Sequence, residues 1–219
     1  MATSTVEDYL KHIYLAQERS RESVVSPGQI AQALRVAPGT VTAMMKTLTD
    51  SELVTYEPYA GVRLTSAGRK LATRVLRRHR LVELFLVRIM GMDWSEVHQD
   101  AEVLEHAVSD QLIERMDKML GHPSVDPHGD PIPTAAGTVP ELQQDNLLTC
   151  PTAVGLRMAR VIDQRAEFLQ LLERHQLKPG RPLRVESRNE LAETVLVQPE
   201  NGRPLQLGFE AARRVLVEG

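Results

Sequence analysis

Residues 26–65 read SPGQIAQALRVAPGTVTAMMKTLTDSELVTYEPYAGVRLT. Ser26 followed by Pro27 is typical of a helix start, because serine caps free N–H groups and proline fits the first turn. Apolar side chains then recur at helical spacing, stop at the tight link 35–37, and resume from about 38 to 51. The stretch therefore predicts two helices joined by a short turn.

The second half of the same stretch predicts a β-hairpin. The runs 53–56 and 62–65 are strand-like, and turn-forming residues at 58–61 separate them. An amphipathic pattern over 7–18 adds a helix ahead of the other two. Helix, helix, short turn, helix and hairpin, in that order, predict a winged helix-turn-helix.

A winged helix-turn-helix inserts its third helix into the major groove of DNA, while the hairpin and basic flanks meet the phosphate backbone. The predicted DNA-binding side chains are Thr40, Thr42, Ala43, Lys46 and Thr47 on the helix, with Tyr59 and Arg63 on the wing. Threonine hydroxyls can bond bases or phosphates, and a small apolar group can touch a thymine methyl. The alternative is that this unit serves only as a packing or protein-binding module.

Composition restricts the class of protein and its chemistry. The chain has 219 residues, 42% hydrophobic and 25% charged, which is typical of a soluble globular protein of one to three domains. We expect a cytoplasmic location, since neither a signal pattern nor a long apolar run is evident. Cys150 is the only cysteine, which excludes an internal disulfide and a thiolate zinc cluster. Any metal site must use carboxylate and imidazole.

Charge is unevenly distributed along the chain. Residues 1–80 carry 12 basic and 7 acidic side chains, whereas residues 81–140 carry 3 basic and 11 acidic ones. The first block suits a phosphate backbone and the second suits cations, although an ordinary solvated surface has such charge too.

The middle of the chain predicts helices that pack against a second copy. One long helix is expected over 66–90, another after Asp93 or Ser95 as its cap, and a third from about 109 to 120. Two or three helices with apolar faces rarely form a stable core alone, so a homodimer is expected.

Potential metal ligands occur on these helices at regular spacing. Glu102, Glu105 and His106 stand at i, i+3 and i+4, and His79 and Glu83 are four residues apart. Helix geometry puts each set on one face, so two helices could close around a cation. Taken singly, each of these side chains is more often solvated than ligating; the combination favours a metal site.

Several blocks together resemble a known family. They are Thr40-Val41-Thr42, Leu64-Thr65-Ser66-Ala67-Gly68, Arg78-His79-Arg80-Leu81 with Glu83, Val97-His98, Glu105-His106 with Ser109-Asp110, and Pro127-His128-Gly129-Asp130-Pro131-Ile132-Pro133. In order and spacing they resemble the diphtheria toxin repressor and manganese transport regulator (DtxR/MntR) family of metal-dependent transcription factors. The resemblance covers nearly the whole chain.

This resemblance implies two metal sites. The regulatory site maps onto Asp8, Glu102, Glu105 and His106, and the ancillary site onto His79, Glu83 and His98. The iron-responsive branch has cysteine and methionine where this chain has Glu102 and Asp8. Oxygen and imidazole donors suit Mn²⁺, with Fe²⁺ second. Lys11 stands where manganese regulators often carry another acidic ligand, which leaves the number of ions open; His12 could substitute but is expected not to ligate.

The resemblance also implies a third, SH3-like domain from about residue 148, with a helix over 165–175 and strands at 183–187, 193–198 and 213–217. In iron-type relatives this domain lends a Glu and a Gln to the ancillary metal, and Gln164 and Glu167 occupy the matching positions in swapped order. A solvated or capping pair explains them equally well.

The expected fold is mainly α with a small β domain. The boundaries we expect are 1–73 for the winged helix-turn-helix, 74–140 for the helical dimerisation and metal-binding domain, 141–149 for a linker, and 150–219 for the SH3-like (FeoA-type) domain. The Pro-, Gly- and Asp-rich stretch 121–147 is also typical of a flexible linker that would let the small barrel swing onto the metal site.

The implied function is a metal-dependent regulator that binds palindromic operator DNA as a homodimer and represses metal uptake genes, with no membrane partner. Three alternatives stay open from the residues. They are an iron-responsive regulator of the same family, a carboxylate-bridged metalloenzyme, and a winged-helix regulator that senses an organic ligand.

Overall fold

The structure is a computed structural model that describes residues 3–20, 24–58 and 60–219. It has two compact units, residues 1–79 with 133–139 and residues 80–132 with 140–219. The helices are α1 Ser4–Ser20, α2 Pro27–Leu34, α3 Pro38–Asp50, α4 Ser66–Arg88, α5 Val97–Ala107, α6 Asp110–Met119, α7 Ala166–Arg174 and α8 Phe209–Ala212. The strands are β1 Val54–Glu57, β2 Gly61–Leu64, β3 Asp145–Asn146, β4 Leu156–Val161, β5 Pro182–Asn189, β6 Thr194–Pro199, β7 Leu205–Gly208 and β8 Val215–Glu218. None of the helices in the described ranges has the length and apolar content that a bilayer crossing needs.

The first unit is the predicted winged helix-turn-helix. Helix α2 begins with a full capping box, in which the Ser26 side chain accepts from the N–H of Gln29 and the Gln29 side chain accepts from the N–H of Ser26. Arg35 ends the helix in the left-handed conformation, with φ of 54°. Strands β1 and β2 pair antiparallel to form the wing. The second and third helices, the turn between them and the two strands of the hairpin are confirmed within one or two residues, whereas α1 begins three residues before its predicted start at residue 7.

The wing joins α4 through a close backbone approach. The Thr65 hydroxyl accepts from the N–H of Gly68 at 3.1 Å and thereby caps the helix. A Cβ on Gly68 would lie 1.9 Å from the carbonyl oxygen of Leu53, so only glycine fits there. This contact sets where the wing ends and α4 begins.

In the second unit, the predicted cap of α5 is wrong. Glu96 occupies the N-cap position and makes no side-chain cap bond. Asp93 instead accepts from both the N–H and the hydroxyl of Ser95, at 2.8 and 2.6 Å. The two residues predicted as caps therefore bond to each other in a turn that precedes the helix, and neither of them caps it. Helix α6 begins as predicted, with the Ser109 side chain accepting from the N–H of Leu112.

The C-terminal part is a six-stranded sheet in the order β3-β8-β4-β5-β6-β7, whose strand pairs are antiparallel. The three predicted strands correspond to β5, β6 and β8, and the predicted helix to α7. Strands β3, β4 and β7 were not predicted. In β4 a register shift between Met158 and Arg160 interrupts the alternation of apolar and polar residues on which strand prediction depends.

The expectation of a flexible linker over 121–147 is wrong for residues 126–132. Asp126, His128, Asp130 and Ile132 are all buried in the second unit. The N–H of Val161 in β4 donates to the carbonyl of His128 at 2.9 Å, so this segment is bonded to the C-terminal sheet. Composition suggested flexibility, but the buried carboxylates accept internal hydrogen bonds that a flexible segment would make with water.

Candidate metal centre and DNA-binding face

Helices α4 and α5 bring three of the predicted ligands together. The Oε1 atom of Glu83 lies 3.2 Å from Nδ1 of His98, and Nε2 of the same imidazole lies 3.7 Å from Oε1 of Glu102. The Glu83 side chain is 1% exposed, whereas that of His98 is 49% exposed. A solvent-accessible imidazole between two carboxylates, one of them buried, leaves an approach for an ion from water.

One turn later on α5, Glu105 and His106 form a second group. Glu105 is fully buried, and its Oε1 lies 3.4 Å from Nε2 of His106. A carboxylate is costly to bury unless positive charge or hydrogen bonds compensate it. A divalent cation at this end of α5 would supply such charge.

The remaining predicted ligands lie on α1 and α4. Asp8 is half-buried on α1, and its carbonyl oxygen is 2.9 Å from Nδ1 of His12. That contact occupies one ring nitrogen of His12 within its own helix. The expectation that His12 does not ligate stays a prediction. Lys11 is 2% exposed. His79 is buried on α4, one helical turn before Glu83.

The two C-terminal candidates differ in their surroundings. Gln164 donates from its Nε2 to Oδ2 of Asp130 at 2.7 Å, so its amide is engaged with the segment before the sheet. Glu167 is exposed in the first turn of α7. Their assignment as ligands stays a prediction.

A buried network of charged side chains around Glu83 was not predicted from the sequence. The Oε2 atom of Glu83 lies 3.6 Å from Nδ1 of His128, and both side chains are 1% exposed. Arg80 lies beside Asp126, with Nε 3.7 Å from Oδ2. Burial by itself would lower the pKa of His128, but the carboxylates of Glu83 and Asp126 raise this pKa to about 9. The signal that could have found this network is the resemblance block that contains His128.

The predicted DNA-binding side chains of α3 all face solvent: Thr40, Thr42, Ala43, Lys46 and Thr47 are exposed, and so is Arg63 on β2. The hydroxyl of Thr42 donates to the carbonyl of Pro38 at 3.2 Å, and that of Thr47 to Ala43 at 3.4 Å. In this state the threonine oxygens remain available as acceptors for base or water donors. Tyr59 lies outside the described residues.

The donors fit a hard or borderline divalent cation. They are carboxylate oxygens and imidazole nitrogens, which suit manganese and ferrous iron. Cys150 is buried in the core of the C-terminal sheet, where its sulfur lies 3.4 Å from the Arg188 guanidinium. The sole thiol of the chain is therefore engaged with Arg188 within this core.

Three family models match the chain in sequence. They are described as the iron dependent repressor N-terminal DNA binding domain over residues 1–62, the iron dependent repressor metal binding and dimerisation domain over 65–134, and the FeoA domain over 146–219. A metal-dependent transcriptional regulator is the class that this combination defines.

Relatives and solved structures agree with that class. The HTH-type transcriptional regulator MntR of Bacillus subtilis (strain 168) is 40% identical over 120 residues, which is 55% of this chain and 82% of that protein. A solved structure described as a manganese-dependent transcriptional repressor complex with manganese superposes with a TM-score of 0.86 at 39% identity, covering 97% of this chain and 98% of the other. T. acidophilum IdeR gives a TM-score of 0.75 at 26% identity, with 99% of both chains covered.

The chain belongs to the DtxR/MntR family of metal-dependent transcriptional regulators. This family consists of regulators and not of enzymes, so the metalloenzyme alternative is not retained. The expected architecture of DNA-binding domain, helical domain and SH3-like domain is confirmed.

Proposed function

We propose that this protein is a Mn²⁺-responsive repressor that binds palindromic operator DNA as a homodimer and controls metal uptake genes. The observation that carries the choice of metal is the set of donors on α4 and α5. His98 stands between the carboxylates of Glu83 and Glu102, without sulfur. The similarity to a repressor described in complex with manganese supports the same choice.

The proposed regulatory site takes Asp8 from α1 and Glu102, Glu105 and His106 from α5. The cation, when bound, supplies positive charge that offsets repulsion among these carboxylates. Asp8 would then hold the DNA-binding domain in one arrangement with the helix that carries the other ligands. A coupling of about 1 to 3 kcal/mol would raise DNA affinity roughly 5- to 150-fold. His79, Glu83 and His98 form the proposed ancillary site, with Gln164 and Glu167 as further candidates.

A homodimer through the helical part of the second unit is supported by its exposed apolar side chains. They are Ile89, Met90, Val103, Leu104, Leu112 and Met119. An apolar surface of this kind is typical of a face that another protein surface covers. A two-fold dimer would present two copies of α3 to the two halves of a palindrome. Because operator DNA is its proposed target, we propose a cytoplasmic location.

The test measures the metal dependence of operator binding. The full chain with Mn²⁺ selects a duplex from a random DNA library, and affinity for that duplex is then compared with and without the ion. We expect Mn²⁺ to raise the affinity at least fivefold, and Glu105→Gln and His106→Ala to abolish that rise. Glu114→Gln, an exposed change on α6, is the control. A wild-type affinity that is indifferent to Mn²⁺ would overturn the proposal.

Ferrous iron is the second candidate effector, favoured by the iron-dependent repressor models and the similarity to IdeR. The same assay under anaerobic conditions with Fe²⁺ decides between the two ions. A larger activation by Fe²⁺ than by Mn²⁺ at equal free concentration would assign iron. An organic effector would be indicated if neither ion raised DNA affinity or the melting temperature.

A further inference from the structure

The carboxylate of Glu83 contacts a different histidine with each of its oxygens. Its Oε1 lies 3.2 Å from Nδ1 of His98, and its Oε2 lies 3.6 Å from Nδ1 of His128. His98 is half-exposed, whereas the His128 side chain is 1% exposed. One oxygen of Glu83 therefore contacts a half-exposed imidazole of the proposed ancillary site, and the other oxygen faces a buried imidazole.

The ring of His128 is held in one orientation. Its Nε2 donates to the carbonyl oxygen of Trp94 at 2.9 Å, and the ring stacks on the Trp94 indole with centroids 5.7 Å apart. Its main-chain N–H donates to Oδ1 of Asp126 at 2.8 Å. With Nε2 committed to Trp94, Nδ1 is buried, has no hydrogen bond at ordinary distance, and is aimed at Glu83.

The interior side of Glu83 already contains permanent positive charge. The Arg80 guanidinium lies 3.7 Å from Asp126 and 4.0 Å from Asp130, with both distances measured between side-chain atoms. Arg160 forms an ion pair with Asp130. A divalent cation beside these guanidinium groups would be repelled. Asp126 and His128 are therefore better suited to supporting Glu83 than to ligating an ion themselves.

The same segment is bonded to the C-terminal sheet. The carbonyl of His128 accepts from the N–H of Val161 at 2.9 Å, and Asp130 accepts from Gln164 at 2.7 Å. A Cβ on Gly129, whose φ is +85°, would lie 2.0 Å from the carbonyl oxygen of Ala159. The segment 126–130 thus touches β4 on one side and Glu83 on the other.

We propose that His128 is a positioning residue that holds Glu83 for the ancillary ion and couples metal affinity there to the contact between segment 126–130 and β4. The inference rests on the proposed function, since it assumes that Glu83 ligates a divalent cation. Partners of metal-ligating groups fix the orientation of the ligand, and their loss typically lowers metal affinity about 10- to 100-fold. A bound ion should in turn stabilise the hydrogen bond from Val161 to His128.

Two substitutions distinguish the roles of the two ring nitrogens of His128. In His128→Gln the amide nitrogen takes the place of Nε2 and keeps the bond to Trp94, but residue 128 no longer offers a donor to Glu83. In His128→Asn the amide nitrogen takes the place of Nδ1 and keeps a donor toward Glu83, but the bond to Trp94 is lost. His122→Gln is the matched control, because that imidazole is exposed and pairs with Asp117.

The primary measurement is Mn²⁺ binding by the full chain, followed through the paramagnetic resonance signal of the free ion. We expect His128→Gln to lower the Mn²⁺ affinity of one class of site at least tenfold. The affinities of His128→Asn and His122→Gln should stay within about threefold of wild type. Melting temperatures recorded in parallel show whether the variants are folded. An equal loss in the Gln and Asn variants, or no loss in either, would overturn the inference.

The second measurement does not depend on DNA binding. Hydrogen exchange of the β4 amides, read at Val161, should slow severalfold when Mn²⁺ is added to wild type and should not respond in His128→Gln. If wild type binds Mn²⁺ but the exchange rate at Val161 does not change, the proposed coupling between the ion and β4 is contradicted. A wild-type chain that binds no Mn²⁺ contradicts the proposed function instead, so the two failures are distinguishable.

Discussion

The Oε1 atom of Glu102 lies 3.7 Å from Nε2 of His98, one turn earlier on α5. Family resemblance assigns these two residues to different sites, the regulatory and the ancillary one. Because they lie so close together, a substitution at position 102 changes a donor near both the proposed regulatory site and the proposed ancillary site. Position 102 is therefore where metal preference is most directly tested.

We expect Glu102→Cys to shift metal preference away from manganese. A thiolate is a softer donor than a carboxylate and favours zinc and related ions over Mn²⁺. Competition between Mn²⁺ and Zn²⁺ for the purified chain should show a preference for Zn²⁺ at least tenfold larger than in wild type. Glu102→Gln, which removes the charge without adding sulfur, should lose Mn²⁺ affinity without the gain for Zn²⁺. An unchanged ratio of affinities in Glu102→Cys would mean that residue 102 does not ligate.

We expect Gly68→Ala to destabilise the DNA-binding domain. The added methyl group would lie 1.9 Å from the carbonyl oxygen of Leu53, which is backbone and cannot move without shifting the wing. The expected loss is about 1 to 3 kcal/mol in the free energy of unfolding, measured by urea denaturation. Gly28→Ala is the control, because the nearest atom to its Cβ is 3.9 Å away in the first turn of α2. That change should be neutral or slightly stabilising.

The turn before α5 should contribute a pH-dependent part of stability. The side-chain and backbone hydrogen bonds from Ser95 lower the pKa of Asp93 below its ordinary 3.8. Because the folded state binds this proton less readily, the stabilisation is present above the unfolded pKa and is lost as pH falls through the folded one. Asp93→Ala should cost about 0.5 to 1 kcal/mol at pH 7, since the group is exposed, and progressively less below about pH 4. Asp93→Asn cannot ionise, so its stability should lack this titration.

We expect Lys46→Ala to weaken operator binding for all sequences alike. An exposed lysine on α3 that contacts a phosphate releases one counterion when DNA binds. Its removal should therefore reduce the slope of log affinity against log salt concentration by about 1. Lys118→Ala, exposed on α6 outside the DNA-binding domain, is the control. A salt slope equal to that of wild type would show that Lys46 is not at the phosphate backbone.

Local features of the fold were predictable because each depends on neighbouring residues. The capping box at Ser26 and Gln29 and the cap at Ser109 follow from rules that operate within one turn of helix. The helical spacing of apolar residues likewise predicts that Glu83, Glu102 and Glu105 lie on helices, as they do on α4 and α5. The cap of α5 could not be predicted, since Asp93 and Ser95 can equally well bond to each other.

The sequence by itself determined the winged helix-turn-helix, the family, and the chemical nature of the proposed metal donors, because periodicity, caps and residue type are properties of short segments. Only the tertiary structure decided that His98 meets Glu83, that His128 supports the same carboxylate from inside, and that residues 126–132 are buried against the C-terminal sheet. These contacts join segments from 15 to about 45 residues apart in the chain. Such contacts depend on how packed elements exclude water, which no local pattern encodes.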